Sequence, residues 1–215
     1  MKVSLKAATP NMEQAIVEIA RVSSSRQDKS ENPAGLINYL INHKHWSPFE
    51  HAMITMEIVT SKAIGIQLLR HRSFTFQEFS QRYAKVTEIE PIEIRRQAVT
   101  NRQSSEEIFD PMMSTYDNEQ QINASIFIDD CIDYCQEVYN KLIEAGVAKE
   151  CARMVLPMAT QTTIYMSGTI RSWIHLLAIR DDSHAQKEVQ LIAKEMKKIF
   201  IEQCPLISEA LNYTI

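Results

Sequence analysis

A chain of 215 residues that is 45% hydrophobic and 23% charged has the apolar material to bury roughly 70% of its unfolded surface without metal or disulfide staples. Its net charge of −4 argues against general attraction to nucleic-acid phosphates, and no apolar run approaches the ~20 residues that span a bilayer. Nothing at the N-terminus has the pattern of a secretory leader, and the four cysteines, Cys131, Cys135, Cys151 and Cys204, lack tight pairing, so one cytoplasmic domain over residues 1–215 with reduced, buried thiols is expected.

In chain order, residues 2–7 alternate like a short strand, and residues 12–22 carry Ile16, Ile19 and Ala20 at helical spacing behind Asn11, an expected N-cap. Residues 23–32 are polar and loop-like. Pro33 suits the first turn of a helix running to residue 42 through Leu36, Tyr39 and Leu40. The segment His43-Lys44-His45-Trp46-Ser47-Pro48-Phe49-Glu50-His51 follows, with Ser47-Pro48 set to start a turn. His43, His45 and His51 are one route to a metal-dependent hydrolase, although no aspartate lies nearby to complete such a site. Local ring packing and hydrogen bonding is the plainer alternative. Residues 52–60 alternate Met53, Thr55 and Glu57 against Ile54, Met56 and Ile58, a strand with one buried face.

An apolar helical run over residues 63–69 leads into Arg70-His71-Arg72-Ser73-Phe74-Thr75-Phe76-Gln77-Glu78-Phe79-Ser80-Gln81-Arg82-Tyr83. At about 100° per residue on a continued helix, Arg70 and Arg72 point in nearly opposite directions, so they should serve two ligands or two subunits. Beyond Ser73 the helical period is lost. If the chain is extended there, Glu78, Ser80 and Arg82 share one face, a polar ligand wall, while Phe79, Gln81 and Tyr83 share the other. A solvated helix end favouring cations is the bland alternative. A further one is a non-catalytic nucleotide- or RNA-binding module in which Phe74, Phe76 and Tyr83 stack bases.

Residues 89–96 read as a β segment interrupted by Pro91, and residues 99–117 as a polar, irregular excursion. The longest helical pattern covers residues 118–145, with Ile122, Ile126, Ile128, Cys131, Tyr134, Val138, Tyr139, Leu142 and Ile143 turned to the core and Gly146 as the stop. Cys131 and Cys135 on that helix should pack rather than hold a metal, because no second ligand pair follows. Arg153 sits among apolar neighbours, and a buried guanidinium needs an anion, either a protein carboxylate or a ligand phosphate. Residues 160–166 read as a strand, 167–169 as a cap, and 170–180 as a helix with Arg171 and His175 on one face and Trp173, Leu177 and Arg180 on another. Such a helix can touch cofactor with one side and substrate with the other. Asp181-Asp182-Ser183 breaks and caps, and residues 184–203 form a last long helix with Val189, Ile192, Met196 and Ile199 inward. The pattern is mixed α/β. Four scattered glycines (Gly35, Gly65, Gly146 and Gly168) are too few for a GxGxxG or Walker loop, which argues against a doubly wound dinucleotide fold.

Four of these blocks resemble, in the same order, the motifs of the flavin-dependent thymidylate synthases. His45-Trp46-Ser47-Pro48-Phe49-Glu50-His51 is similar to the family's His-x-(Thr/Ser)-Pro-Phe-Glu-His element. Arg70-His71-Arg72, then Ser80 and Arg82, fits the spacing of its signature. Ala152-Arg153-Met154-Val155-Leu156-Pro157 resembles its Ala-Arg-x-Val-Leu-Pro element, and residues 177–186 its Leu-Arg-x-x-x-His-Ala-Gln region. Departures from commoner family residues fall at Gln77, Gln81, Thr169 and His175. The resemblance implies a central, mostly antiparallel sheet with long flanking helices and a non-Rossmann flavin site. It also implies FAD as cofactor, NADPH and methylenetetrahydrofolate as co-substrates, and methyl transfer to deoxyuridylate (dUMP). Deoxyuridylate would lie on Gln67, Arg70, Glu78, Phe79, Ser80, Gln81, Arg82, Arg153 and Arg180, with Arg180 the catalytic group that polarises the uracil. FAD would lie on Ser47, Glu50, Arg70, His71, Arg72, Glu78, Thr169, Arg171 and His175, and folate near His45. The family's architecture further implies a homotetramer with sites between subunits, where Arg153 and Arg180 reach one nucleotide from different chains, and no metal, nucleic-acid or membrane partner.

Overall fold

A computed structural model describes residues 1–22, 33–86, 88–115, 120–182 and 184–214. The chain runs through β1 (Lys2–Ala8), α1 (Met12–Ala20), α2 (Pro33–Asn42), a 3₁₀ turn (Ser47–Glu50), β2 (Met53–Ser61), α3 (Lys62–Leu68) and β3 (Thr75–Glu78). It continues through β4 (Arg95–Gln97), β5 (Ser105–Ile108), β6 (Met112–Ser114), β7 (Gln121–Asn123), α4 (Ala124–Glu144), α5 (Lys149–Ala152), a second 3₁₀ turn (Arg153–Val155), β8 (Gln161–Thr169), α6 (Ile170–Arg180), α7 (Lys187–Gln203) and α8 (Pro205–Ala210). The fold is mixed α/β, and among the described residues no helix is long and apolar enough to cross a membrane. Two compact units divide it, one of Met1–Val59, Gln67–Gln77 and Thr163–Ile215, the other of Thr60–Ile66 and Glu78–Thr162.

The first unit holds the body of a four-stranded sheet in the order β1-β2-β8-β3, with β1 and β2 antiparallel from Lys2 opposite Val59 to Ala8 opposite Ile54. Alternation along β2 and β8 sends Ile54, Met56, Ile58, Ile164 and Met166 to one face, all fully buried. Each such side chain contributes about 1.5–3 kcal/mol by leaving water. Trp173 of α6 and Val189, Ile192, Met196 and Phe200 of α7 are equally buried, and Trp173 ties its indole N–H to the Ile54 carbonyl at 3.1 Å. The opposite face of β2 is mixed, with Met53 and Val59 beside Thr55, Glu57 and Ser61. There the Glu57 carboxylate accepts from Lys6 Nζ at 2.8 Å, Tyr165 Oη at 2.8 Å and Ser4 Oγ at 3.1 Å, which holds it down at about 2.

The second unit packs Phe79, Leu142, Val147 and Leu156 around buried Val86, Tyr139 and Ala152. Tyr139 Oη accepts the Val86 N–H at 3.2 Å, so the ring is fixed at both ends. Helix α4 stops as expected at Gly146, whose φ of 84° lets Gly146 N–H reach Ile143 O at 3.0 Å and Val147 N–H reach Leu142 O at 2.9 Å.

Several expectations are corrected. The irregular excursion expected over residues 99–117 carries strands: β5 pairs antiparallel with β4, and β6 with β7. Of residues 89–96, only Arg95 and Arg96 lie in a strand, with Ile89 making an isolated bridge to Thr160. The helix before the signature ends at Leu68, so the opposed directions inferred for Arg70 and Arg72 do not arise from helical geometry. Extended structure lasts only to Glu78, because Ser80 O accepts from Tyr83 N and Ala84 N and turns the chain. Asn11 occupies the N-cap position of α1 in a left-handed conformation, and its side chain caps nothing. On α4 only Tyr139 of the expected inward set is buried, whereas Ile126 is 52% and Tyr134 68% exposed. All four thiols are free, but Cys204 alone is buried, and Cys131 and Cys151 are exposed. The last long helix begins at Lys187, and α8 follows it unforeseen. The loop expected over residues 23–32, the cap at Ser183 and residues 116–119 lie outside the described residues.

Candidate active site

Within the first unit the site grows from α6. Thr169 caps it, its Oγ1 accepting the Ser172 N–H at 3.3 Å, and the same hydroxyl donates to Glu50 Oε2 at 2.8 Å. Glu50 Oε1 takes Arg171 Nη1 at 2.8 Å, so one carboxylate fastens the helix start to the 3₁₀ turn that Pro48 and buried Phe49 anchor. Ser172 Oγ donates to the Ser73 carbonyl at 3.2 Å, bringing the signature loop to the same place. These groups, with Trp46, Ile174, His175 and Ala178, line an open cleft of about 740 Å³. Arg171 and His175 are exposed on one face of α6 as expected, while Trp173 and Leu177 are buried on the other. An indole, an imidazole, hydroxyls and the Arg171–Glu50 ion pair around such a cleft fit a large aromatic ligand with polar edges, which is the chemistry of a flavin.

At the other end of α6, Arg180 Nε donates to His71 Nε2 at 2.8 Å and Nη2 to the Gln67 carbonyl at 3.4 Å. Gln67 Nε2 continues to Gln186 Oε1 at 2.6 Å. His71 is half-buried, and burial first, then the nearby Arg180 and His175, push it down to about 4. Burial and then Arg70 lower Arg180 too. Among the described residues no carboxylate pairs with Arg70, Arg72 or Arg180, so positive charge gathers here uncompensated.

Ser47 opens the 3₁₀ turn of the first unit, whereas Glu78, Phe79, Ser80, Gln81, Arg82 and Arg153 fall in the second. Glu78 accepts Lys62 Nζ at 2.7 Å and Thr162 Oγ1 at 2.8 Å on the same oxygen, Oε1. Phe79 packs in the apolar cluster, Ser80 turns the chain, and exposed Arg82 reaches Glu150 at 3.4 Å. Gln81 Nε2 and Arg153 Nε are buried donors with no partner among the described residues. Leaving such donors unmatched costs about 1–3 kcal/mol each, which a ligand with acceptor oxygens offsets. A nucleotide fits that donor set. Among the described residues no carboxylate pairs with Arg153.

His43 stacks on Tyr39 at 4.0 Å and its Nδ1 lies 2.9 Å from the Tyr39 carbonyl, while His45 meets the same ring edge-on at 5.9 Å. Among the described residues no group of three His, Cys, Asp or Glu side chains could hold a metal ion. Phe74 is buried edge-to-face against Trp173 at 4.8 Å and cannot stack a base, whereas Tyr83 is exposed. Sequence reasoning missed Trp46, Ser73 and Ser172 as cleft groups, and Lys62 and Thr162 as the holders of Glu78. Trp46 lay inside the histidine segment and Ser73 inside the signature; Lys62 and Thr162 carried no motif at all.

A family model described as "Thymidylate synthase complementing protein" matches residues 4–206. A protein of Paramecium bursaria Chlorella virus 1 named "Probable flavin-dependent thymidylate synthase" is 45% identical over 203 residues, 94% of this chain and 91% of its own length. Proteins named "Flavin-dependent thymidylate synthase" from Synechocystis and Thermosipho melanesiensis are 43% and 37% identical, over 92% and 90% of this chain and 88% and 83% of their own lengths.

Proposed function

Because the chain belongs to the flavin-dependent thymidylate synthase family, we propose that it methylates deoxyuridylate to thymidylate, with methylenetetrahydrofolate as carbon donor, FAD as its flavin and NADPH as reductant. The observation that carries this is the Arg180 guanidinium, held by His71 and Gln67 with no carboxylate among the described residues to cancel its charge. Such a donor suits the negative charge that develops on a uracil ring as its imide proton leaves. The flavin, once reduced by NADPH, would supply the hydride that completes the methyl group. Trp46 and the assigned set of Ser47, Glu50, Thr169, Arg171 and His175 would hold it, with Arg70, His71, Arg72 and Glu78 at its phosphates or ring. Gln67, Arg70, Glu78, Phe79, Ser80, Gln81, Arg82 and Arg153 join Arg180 on deoxyuridylate, supported by the unmatched donors of Gln81 and Arg153. His45 serves the folate.

The chain acts as one catalytic domain in the cytoplasm, assembled as a homotetramer whose sites lie between subunits. The exposed apolar side chains of α4, Ile126 and Tyr134, support a protein partner on that helix. The test is titration with FAD in both redox states, then thymidylate formation from deoxyuridylate, methylenetetrahydrofolate and NADPH. Arg180→Ala should lower turnover by about 10²–10³-fold. Absence of flavin binding, or an Arg180→Ala variant as active as the native protein, overturns the assignment.

A further inference from the structure

We propose that His71 is a positioning residue for Arg180, its neutral imidazole aiming the guanidinium while leaving the positive charge uncancelled for the substrate. The proposal rests on the assignment of Arg180 to the uracil. Arginine has five N–H donors and no acceptor, so the 2.8 Å contact from Arg180 Nε forces His71 Nε2 to be the acceptor. An imidazole nitrogen accepts only when it carries no proton, which puts the single ring proton on Nδ1.

The contrast lies on the same helix. Arg171 is held by the Glu50 carboxylate at 2.8 Å, an ion pair that orients the side chain and neutralises it. Arg180 is held by a neutral nitrogen and a backbone carbonyl, which orient it and leave its charge intact. An arginine meant to stabilise a developing anion needs the second arrangement. The surroundings keep His71 neutral. Arg180 and His175 of α6 face it, Arg70 from its own loop adds charge beside Arg180, and burial pushes the ring down to about 4. Glu188 joins this network through Gln186, from which it accepts and which in turn accepts from Gln67.

Three substitutions separate aiming from charge. His71→Ala removes the acceptor, His71→Gln returns a neutral one near the Nε2 position, and His71→Glu returns an anionic one. Misaiming a catalytic group costs up to about 10²-fold. His71→Ala should therefore lose about 10–100-fold in kcat at matched flavin content. His71→Gln should recover most of that loss, while His71→Glu should stay near His71→Ala despite holding the guanidinium. Native turnover should also fall on acidification with an apparent pKa near the His71 value of about 4, a limb that His71→Gln lacks. Nitrogen-15 spectra of the native protein at neutral pH read the tautomer without any variant, and Nδ1–H with a bare Nε2 is expected. A protonated Nε2, or His71→Glu as active as His71→Gln, overturns the proposal. If Arg180→Ala retains native turnover, the uracil assignment itself is wrong. If Arg180→Ala is inactive and all three His71 variants match the native protein, only the role of His71 falls.

Discussion

Replacing Gly168 with alanine is the sharpest test of how the signature loop is held. A Cβ at position 168 would lie 2.4 Å from Phe74 Cδ1, 2.5 Å from Cε1 and 3.2 Å from Cγ. Carbon atoms rest at about 3.5–4.0 Å, so the ring must retreat by about 1 Å. It has little room, because Phe74 is buried and sits edge-on to fully buried Trp173 at 4.8 Å. Overpacking of this kind costs about 1–3 kcal/mol, and each kcal/mol lowers Tm by about 2–4 °C in a chain of this size. Function should suffer more than stability. Phe74 N donates to His71 O at 3.1 Å, and neighbouring Ser73 O accepts Ser172 Oγ, so a displaced ring drags both the Arg180 holder and the cleft wall. Thermal and urea unfolding, flavin content and thymidylate formation measure the three effects. Phe74→Leu opens space, and the double variant should be more stable than the sum of the singles by about 0.5–3 kcal/mol. A Gly168→Ala protein within about 0.5 kcal/mol of native stability, with no coupling to Phe74→Leu, would refute the steric argument.

Thr169→Ala removes the α6 cap and a Glu50 bond together, and should cost about 1 kcal/mol and weaken flavin retention, both restored by Thr169→Ser in melts and absorbance spectra. Stability against pH should show two separate windows. His71 ordinarily titrates at 6.5 and at about 4 here, so its contribution is complete above 6.5 and fades as pH falls toward 4. Glu57 drops from 4.5 to about 2, so its contribution is complete above 4.5 and fades toward 2. Denaturation of His71→Gln should lack the first window only. Replacing all four cysteines should leave turnover in whatever protein folds, with the penalty concentrated at buried Cys204, and loss of chemistry in a folded, flavin-loaded variant would contradict the assigned roles. Co-expressed Arg153→Ala and Arg180→Ala chains should regain roughly a quarter of native sites through mixed pairs, and confirmed mixed oligomers as inactive as their parents would place both arginines on one chain.

The elements most legible in the sequence were those whose side chains alternate between core and solvent. Helix α6 was read to its last residue, because Thr169 announces its start and Trp173, Leu176 and Leu177 form one buried face. Strand β2 likewise declared itself through Ile54, Met56 and Ile58. Apart from Arg95 and Arg96, inside the β segment expected over residues 89–96, the β4–β5 and β6–β7 pairs were unread because their strands are three or four residues long and mostly exposed, held by backbone pairing rather than by a buried stripe. On α4 the apolar period was real, but period alone does not say which surface covers a stripe. In the site, charged motif residues were easy to find, while the turn at Ser80 and the unwinding after Leu68 are closed by local backbone bonds that leave no side-chain period to read.

Helix α6 also works as a ruler. Arg171 near its start is fastened through Glu50, and Arg180 at its end through His71, with Asp181 just beyond pinned to Lys197 at 2.9 Å. Nine residues at 1.5 Å each set about 13.5 Å between the two arginines along the axis, a distance that a rigid helix buried along one face cannot adjust. One inserted residue would lengthen that gauge by about 1.5 Å and swing everything downstream by about 100°, turning Arg180 away from its holder. Length variation is therefore intolerable between Thr169 and Asp181, whatever the freedom of the loops, and the spacing of the two chemical ends is inherited as a single unit of backbone.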